Sequence, residues 1–142
     1  MKVMALNISE KKGTIKRPVP SVEVNLQGIV GDAHAGDHHR QISLLAHESI
    51  KRFESILGRE IAPGEFAENI TTLGLDLLSL KIGEKIQLGE VIMELTQIGK
   101  ECHGTGCAIF TQVGKCVMPK EGIFCRVVRG GKIFVGDEIV LV

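Results

Sequence analysis

IGEKIQL at residues 82–88 returns as VGDEIVL at residues 135–141. In each copy an apolar residue precedes a glycine–acid pair, and an alternating strand pattern follows. Glycine followed by a short acidic residue is a turn signal. The two copies read as one turn-and-strand device used twice in a β-rich domain, not as a duplicated functional half. Working outward, Val91–Ile98 is a strand. Ile123–Val128 and Ile133–Val142 are strands with Gly130-Gly131 as the hairpin turn between them. Towards the N-terminus, Val3–Ile8 is a strand and Lys11–Lys16 a charged turn or hairpin tip. Val22–Val30, with Val22, Val24 and Leu26 alternating, suits a half-buried strand. Gly28–Gly36 is a loop, and Ile42–Leu45 a short buried strand. Glu48–Leu57 is the clearest helix: Ile50, Phe53, Ile56 and Leu57 share a face, and Gly58 stands where a C-terminal cap glycine belongs. Pro63-Gly64 breaks the chain, and Ile70–Leu80 mixes strand-forming threonines with a leucine-rich run. Seven or eight short strands and one helix predict a β-rich α+β fold, β-barrel-like, in a single domain over residues 1–142.

Composition narrows the function. The chain has 142 residues, 44% hydrophobic and 24% charged, which suits one self-sufficient core. Seventeen basic residues balance seventeen acidic ones, so no global charge favours nucleic acid or an anionic membrane. Trp and Tyr are absent and Phe numbers five, leaving few platforms on which bases could stack. No apolar run approaches the ~18–20 residues of a membrane span, and the N-terminus reads as a first strand and not as a signal peptide. The expectation is a cytoplasmic protein. All four cysteines fall between residues 102 and 125. Cytosolic thiols are kept reduced, so such clustering points to chemistry and not to stapling.

Four segments can carry that chemistry. Residues 31–41, GDAHAGDHHRQ, place three histidines, two aspartates and Arg40 on a glycine-flexed loop. Such a loop can hold a metal through imidazoles, or an anion through Arg40, histidine and backbone amides; it can also be a plain polar turn. In residues 63–72, PGEFAENITT, Glu68 could serve as acid or base, and Asn69 could orient a substrate or bond local backbone. Residues 99–110, GKECHGTGCAIF, set Cys102 and His103 near Cys107, with Lys100 and His103 able to favour a thiolate. Lys115 flanks a further thiol, Cys116. A structural zinc site built from Cys102, His103, Cys107 and Cys116 is a rival reading, although the usual CxxC knuckles are missing. Cys125, in an apolar strand, reads as core.

The four segments, in this order, resemble the bacterial stand-alone MOSC domain, named for the C-terminal domain of molybdenum cofactor sulfurases. The resemblance rests on GDAHAGDHHRQISLLAHESI, PGEFAENITTLGLDL, TQIGKECHGTGCAIF and VGKCVMPKEGIF, and runs from about Gly28 to Val142. It implies a β-barrel-like fold with peripheral helices. It also implies an association with molybdenum cofactor (molybdopterin), in its sulfuration or delivery or in molybdenum-dependent reduction of N-hydroxylated compounds. A family cysteine carries sulfur or ligates molybdenum; the matching position is Cys107, with Cys102 and Cys116 as alternatives. Gly106 stands where the family usually has an arginine. On this reading His34, His39, Arg40, Asn69 and His103 would bind the cofactor, with Cys107 on the metal. The implied partners are a molybdenum cofactor or sulfur-donor protein and a molybdoenzyme acceptor, which leaves a non-catalytic carrier role open beside a catalytic one. The larger enzymes' pyridoxal-phosphate desulfurase domain has no room in 142 residues, so pyridoxal phosphate is not expected here.

Overall fold

The computed structural model describes residues 1–11, 14–99 and 121–142. Eleven strands occur among the described residues: β1 (Lys2–Ile8), β2 (Arg17–Val19), β3 (Ser21–Asn25), β4 (Gly28–Ile29), β5 (Ile42–Ala46), β6 (Ile70–Leu73), β7 (Lys85–Leu88), β8 (Val91–Ile98), β9 (Ile123–Arg129), β10 (Gly131–Phe134) and β11 (Ile139–Leu141). One α-helix, α1 (His47–Leu57), and a 3-10 turn at Leu77–Ser79 complete the set. Eight strands form one sheet in the order β11-β7-β8-β9-β5-β6-β1-β2, and three form a second, β10-β3-β4.

The fold is mainly β, as expected, but its sheets are not closed into a barrel. Near the ends of the large sheet the seam is a single bridge, Lys2↔Glu138. The repeated turn explains that seam. The N–H of Gly83 donates to Leu95 O and Leu95 N–H returns a bond to Glu84 O, at 2.8 and 2.9 Å. Gly136 and Asp137 make the same exchange with Val3, both at 2.8 Å. Both glycines are left-handed, with φ of 96° and 95°, a conformation that costs a residue with a Cβ about 1–2 kcal/mol. Each acid side chain also accepts from the backbone N–H three residues earlier, Glu84 from Lys81 and Asp137 from Phe134. The strands that follow these turns, β7 and β11, pair antiparallel with each other.

Strand β5 is buried along its whole length. It lies between β9, antiparallel, and β6, parallel. A parallel pair needs a crossover, and α1 supplies it. Ile42 and Leu44 enter the main core between the sheets, while Leu45 faces a second core under the helix with Ile50, Phe66 and Phe124. Phe53 meets Phe66 edge to face at 5.7 Å between centroids. Helix α1 ends as expected, with Gly58 left-handed and its N–H on Glu54 O.

Four expectations need correction. Ile133–Val142 is not one strand: it divides at the Gly136 turn into β10 and β11, which lie in different sheets. Gly130-Gly131 is not a hairpin turn: β10 pairs with β3, so the chain passes there from one sheet to the other. A Cβ on Gly130 would stand 2.5 Å from Val24 O, which is why the corner needs glycine. Val22–Val30 is a β3–β4 hairpin and not one strand, which leaves Leu26 exposed at its tip. Ile56 is exposed as well, since only Ile50, Phe53 and Leu57 of the helix reach the second core.

The two glycine devices can be ranked. Gly136→Ala meets no neighbouring atom and costs only its left-handed backbone, about 1–2 kcal/mol. Gly130→Ala forces backbone apart, since its Cβ would meet Val24 O, and should cost more, about 3 kcal/mol. Urea unfolding of both variants gives the order.

Candidate functional site

Two described regions bear on the candidate site: the flanks of the segment that holds three of the four cysteines, and the histidine loop. The first is the base of that segment. Gly99 N–H donates to Gly122 O at 2.7 Å, so the chain leaves β8 and re-enters β9 at neighbouring points. Beside this closure, Gln97 donates its side-chain amide to Gly99 O at 2.6 Å and turns its Oε1 to His39 Nε2 at 2.8 Å. The one O–H of Thr96 lies within reach of two carbonyls, that of His39 and, at 3.1 Å, that of Phe124. On the other side Glu121 accepts from Ser49 Oγ at 2.9 Å and from the Arg52 guanidinium. Glu121, Ser49 and Arg52 line a cleft of about 500 Å³ at the start of α1, with Ala46, Glu48 and Leu75.

The second region is the histidine loop, fastened from beneath by a buried ion pair. Lys16 and Asp32 meet at 2.8 Å with both side chains fully buried. Asp32 Oδ1 also accepts Ser9 N–H at 3.1 Å, and Oδ2 accepts His34 N–H at 3.0 Å. Lys16 Nζ donates further to Ser9 Oγ at 3.2 Å and bonds His34 Nδ1 at 3.1 Å. Burial pushes the Asp32 carboxyl up, but the Lys16 ammonium and the backbone N–H groups of Ser9 and His34 outweigh it and hold the group well below the usual carboxylate range. The sequence reading placed Lys16 at a charged hairpin tip; it is instead the ammonium on which the loop rests. Its partner lies sixteen residues away, so no local pattern marks it.

Each expected residue can now be placed. His34 stands over the ion pair, with 24% of its side chain exposed. His39 is exposed and bound to Gln97 at the base of the cysteine segment. Arg40 is exposed, and its N–H donates to His38 Nδ1 at 3.1 Å. Gln41, by contrast, is buried: its amide donates to Leu26 O and Gly36 O, and its Oε1 accepts Val127 N–H. Asn69 is fully buried, with Oδ1 accepting from Ser43 N–H and Oγ and Nδ2 donating to Asn7 O. It joins β1 to β5. Cys102, His103, Cys107 and Cys116 lie outside the described residues. Cys125 is buried core, and burial followed by the Glu94 charge raises its thiol far above the ordinary range. Among the described residues no group of three or more His, Cys, Asp or Glu could hold a metal ion, and no helix is long and apolar enough to cross a membrane.

Glu68 is a second buried acid. Its Oε2 accepts from Thr71 Oγ1 at 2.9 Å, while Oε1 finds no partner among the described residues. Burial drives its carboxyl from 4.5 up to about 7, against the opposing pull of nearby backbone N–H groups and Thr71.

The MOSC domain family model matches residues 31–140. The chain belongs to this family. The MOSC match spans both the histidine loop and the cysteine segment. Among solved structures, the YuaD protein from Bacillus subtilis is similar at TM-score 0.81 and 24% identity, over 97% of this chain and 93% of that one. The YiiM protein from Geobacillus stearothermophilus gives TM-score 0.78 and 25% identity, over 99% and 74%. YiiM from Escherichia coli gives 0.72 and 19%, over 100% and 70%. No curated protein matches the chain.

Both buried acids, Asp32 and Glu68, are open to test. Lys16→Met leaves Asp32 without its counter-charge and should cost about 3–5 kcal/mol, most of it recovered in the Lys16→Met/Asp32→Leu double variant; denaturant melts of the set measure this. For Glu68, the native state keeps its proton from pH 4.5 up to about 7 while the unfolded chain has released it. Its contribution is therefore full below 4.5 and is lost as pH rises towards 7, at about 1.4 kcal/mol per pH unit. Glu68→Gln should flatten the stability profile over that window.

Proposed function

We propose that this MOSC domain is a molybdenum-cofactor-handling module that binds the pterin–molybdenum cofactor, or carries sulfur, on a cysteine of residues 102–116, with Cys107 first. Family membership ties the chain to the C-terminal domain of molybdenum cofactor sulfurases. The observation that carries the proposal is the convergence at the base of the cysteine segment. The Gly99–Gly122 closure there is flanked by His39 and by the α1 cleft.

The described donor set fits the cofactor's anionic groups. Arg40 offers an exposed guanidinium, and His34 and His39 stand on a loop that Gln41 and Asp32 hold rigid. Guanidinium and imidazole N–H groups suit phosphate oxygens. The cysteine thiolate suits both molybdenum and sulfane sulfur. His103 would add a further polar contact, and Asn69 acts from behind by fixing β1 against β5. When bound, the cofactor supplies the redox or sulfido chemistry, and the protein's part is to bind and orient it. The partners on this reading are a cofactor or sulfur donor and an accepting molybdoenzyme.

The test is protein isolated from its native host, assayed for metals by elemental analysis and for persulfide by mass spectrometry. Wild type should retain molybdenum or a persulfide. Cys107→Ser should lower that retention by about tenfold or more, with smaller losses for Cys102→Ser and Cys116→Ser. Stoichiometric zinc with no molybdenum or persulfide would overturn the proposal in favour of a structural zinc domain.

A further inference from the structure

By composition, the three histidines of residues 31–41 suggest a metal site. Their hydrogen bonds leave too few free lone pairs for one. A neutral imidazole has one N–H and one lone pair, and only the lone pair can ligate a metal. His38 has both nitrogens engaged: Nε2 meets the His34 carbonyl at 2.8 Å, and Nδ1 accepts the Arg40 N–H at 3.1 Å. A carbonyl only accepts, so the His38 proton is on Nε2. His39 meets Gln97 Oε1 through Nε2. The Gln97 amide nitrogen already faces Gly99 O, so its oxygen faces His39, whose Nε2 carries a proton as well; of the two rings only His39 keeps a free lone pair, on Nδ1, and one imidazole does not make a metal site.

His34 is decided by Lys16. An ammonium has three donors and no acceptor, and Nζ stands 3.1 Å from His34 Nδ1. That contact requires a lone pair on Nδ1 and therefore the proton on Nε2. The competing geometry, Nδ1–H towards Asp32 Oδ2, spans 3.7 Å, too long for a hydrogen bond. The Asp32 oxygens take the Ser9 and His34 backbone N–H groups instead. To free Nε2 for a metal, the proton would have to move to Nδ1, where it would point at a buried cation. His34 Nε2–H is left as the ring donor with no partner among the described residues, on a side chain that reaches solvent.

We infer that the buried Lys16–Asp32 pair locks His34 as an Nε2–H donor for an oxyanion oxygen, so that this loop takes an anion and not a divalent metal. Lys16 is a positioning residue: it acts through the imidazole. By drawing on the Nδ1 lone pair it also polarises the Nε2–H bond, which favours a charged acceptor over a neutral one. The ligand class is a phosphate-like oxyanion, whether free or part of a larger cofactor. The inference deepens the anion-binding role given to His34 above, and rests on that reading only for the place of the anion.

The experiment is a long-range proton–nitrogen correlation of the histidine rings in the nitrogen-15-labelled full chain at neutral pH, with His34→Gln to assign the signal. In wild type, His34 Nδ1 should resonate as an unprotonated nitrogen and Nε2 as a protonated one. Inorganic phosphate should shift the Nε2–H signal, and zinc should leave His34 unchanged. In Lys16→Met both tautomers become accessible, and phosphate affinity should fall by about tenfold, the loss expected for weakening one charge-assisted hydrogen bond. Zinc should then perturb His34. A protonated Nδ1 in wild type, zinc capture at His34, or no phosphate response would each overturn the inference. The wild-type spectra decide it even if Lys16→Met does not fold. A chain without molybdenum or persulfide would defeat the cofactor reading while leaving these spectra unchanged, so the two can fail separately.

Discussion

Complete burial of strand β5 is the constraint on which the rest of the molecule depends. Residues Ile42–Ala46 are covered on both faces and paired along both edges. A buried backbone must place every N–H and C=O, so β9 and β6 have to lie where they do. The one polar side chain in the strand, Ser43, must also be met, and Asn69 meets it. The histidine loop enters one end of β5 and α1 leaves the other. The β9 strand alongside it carries the return of the cysteine segment. The histidine loop, α1 and the strand that follows the cysteine segment are thereby arranged around one strand that is buried on both faces and paired along both edges.

The Lys16–Asp32 pair adds position more than stability. Desolvating two charges consumes much of what their attraction returns, and a well-packed apolar pair often serves as well. What an apolar pair could not do is hold four other groups at once. Ser9 N–H, Ser9 Oγ, His34 N–H and His34 Nδ1 all converge on these two side chains. The end of β1, the approach to β2 and the start of the histidine loop are bolted together there. The neighbouring network of Asn7, Glu68, Asn69 and Thr71 continues the same buried polar layer under β1.

Much of the fold was legible because its signals are local. Val91–Ile98 and α1 follow from periodicity, and Gly58 from the geometry of a helix end. The repeated glycine–acid turn was readable as a device. Its strands' pairing with one another was not, because nothing in a seven-residue segment names its partner. Gly130-Gly131 misled for that reason: glycines mark a sharp bend but do not say which sheet receives the next strand. Leu26 and Ile56 misled because an apolar stripe gives a face and not how far the neighbouring surface extends. The cysteine segment was recognisable from clustering and from family resemblance, and its attachment beside His39 and α1 needed the sheet.

By itself, then, the sequence determined the local elements: strands from alternation, the helix from its stripe and cap, turns from glycine, and the family from four ordered motifs. Those properties depend on residues within a few positions of each other. Only the tertiary structure decided which charges are buried, which amides act as rivets and which groups the ring nitrogens of the loop histidines face. Such outcomes depend on groups brought together from distant parts of the chain. Lys16 shows the difference: in sequence it is one more charge near a turn, and in the fold it is a desolvated ammonium that sets the chemistry of an imidazole eighteen residues away.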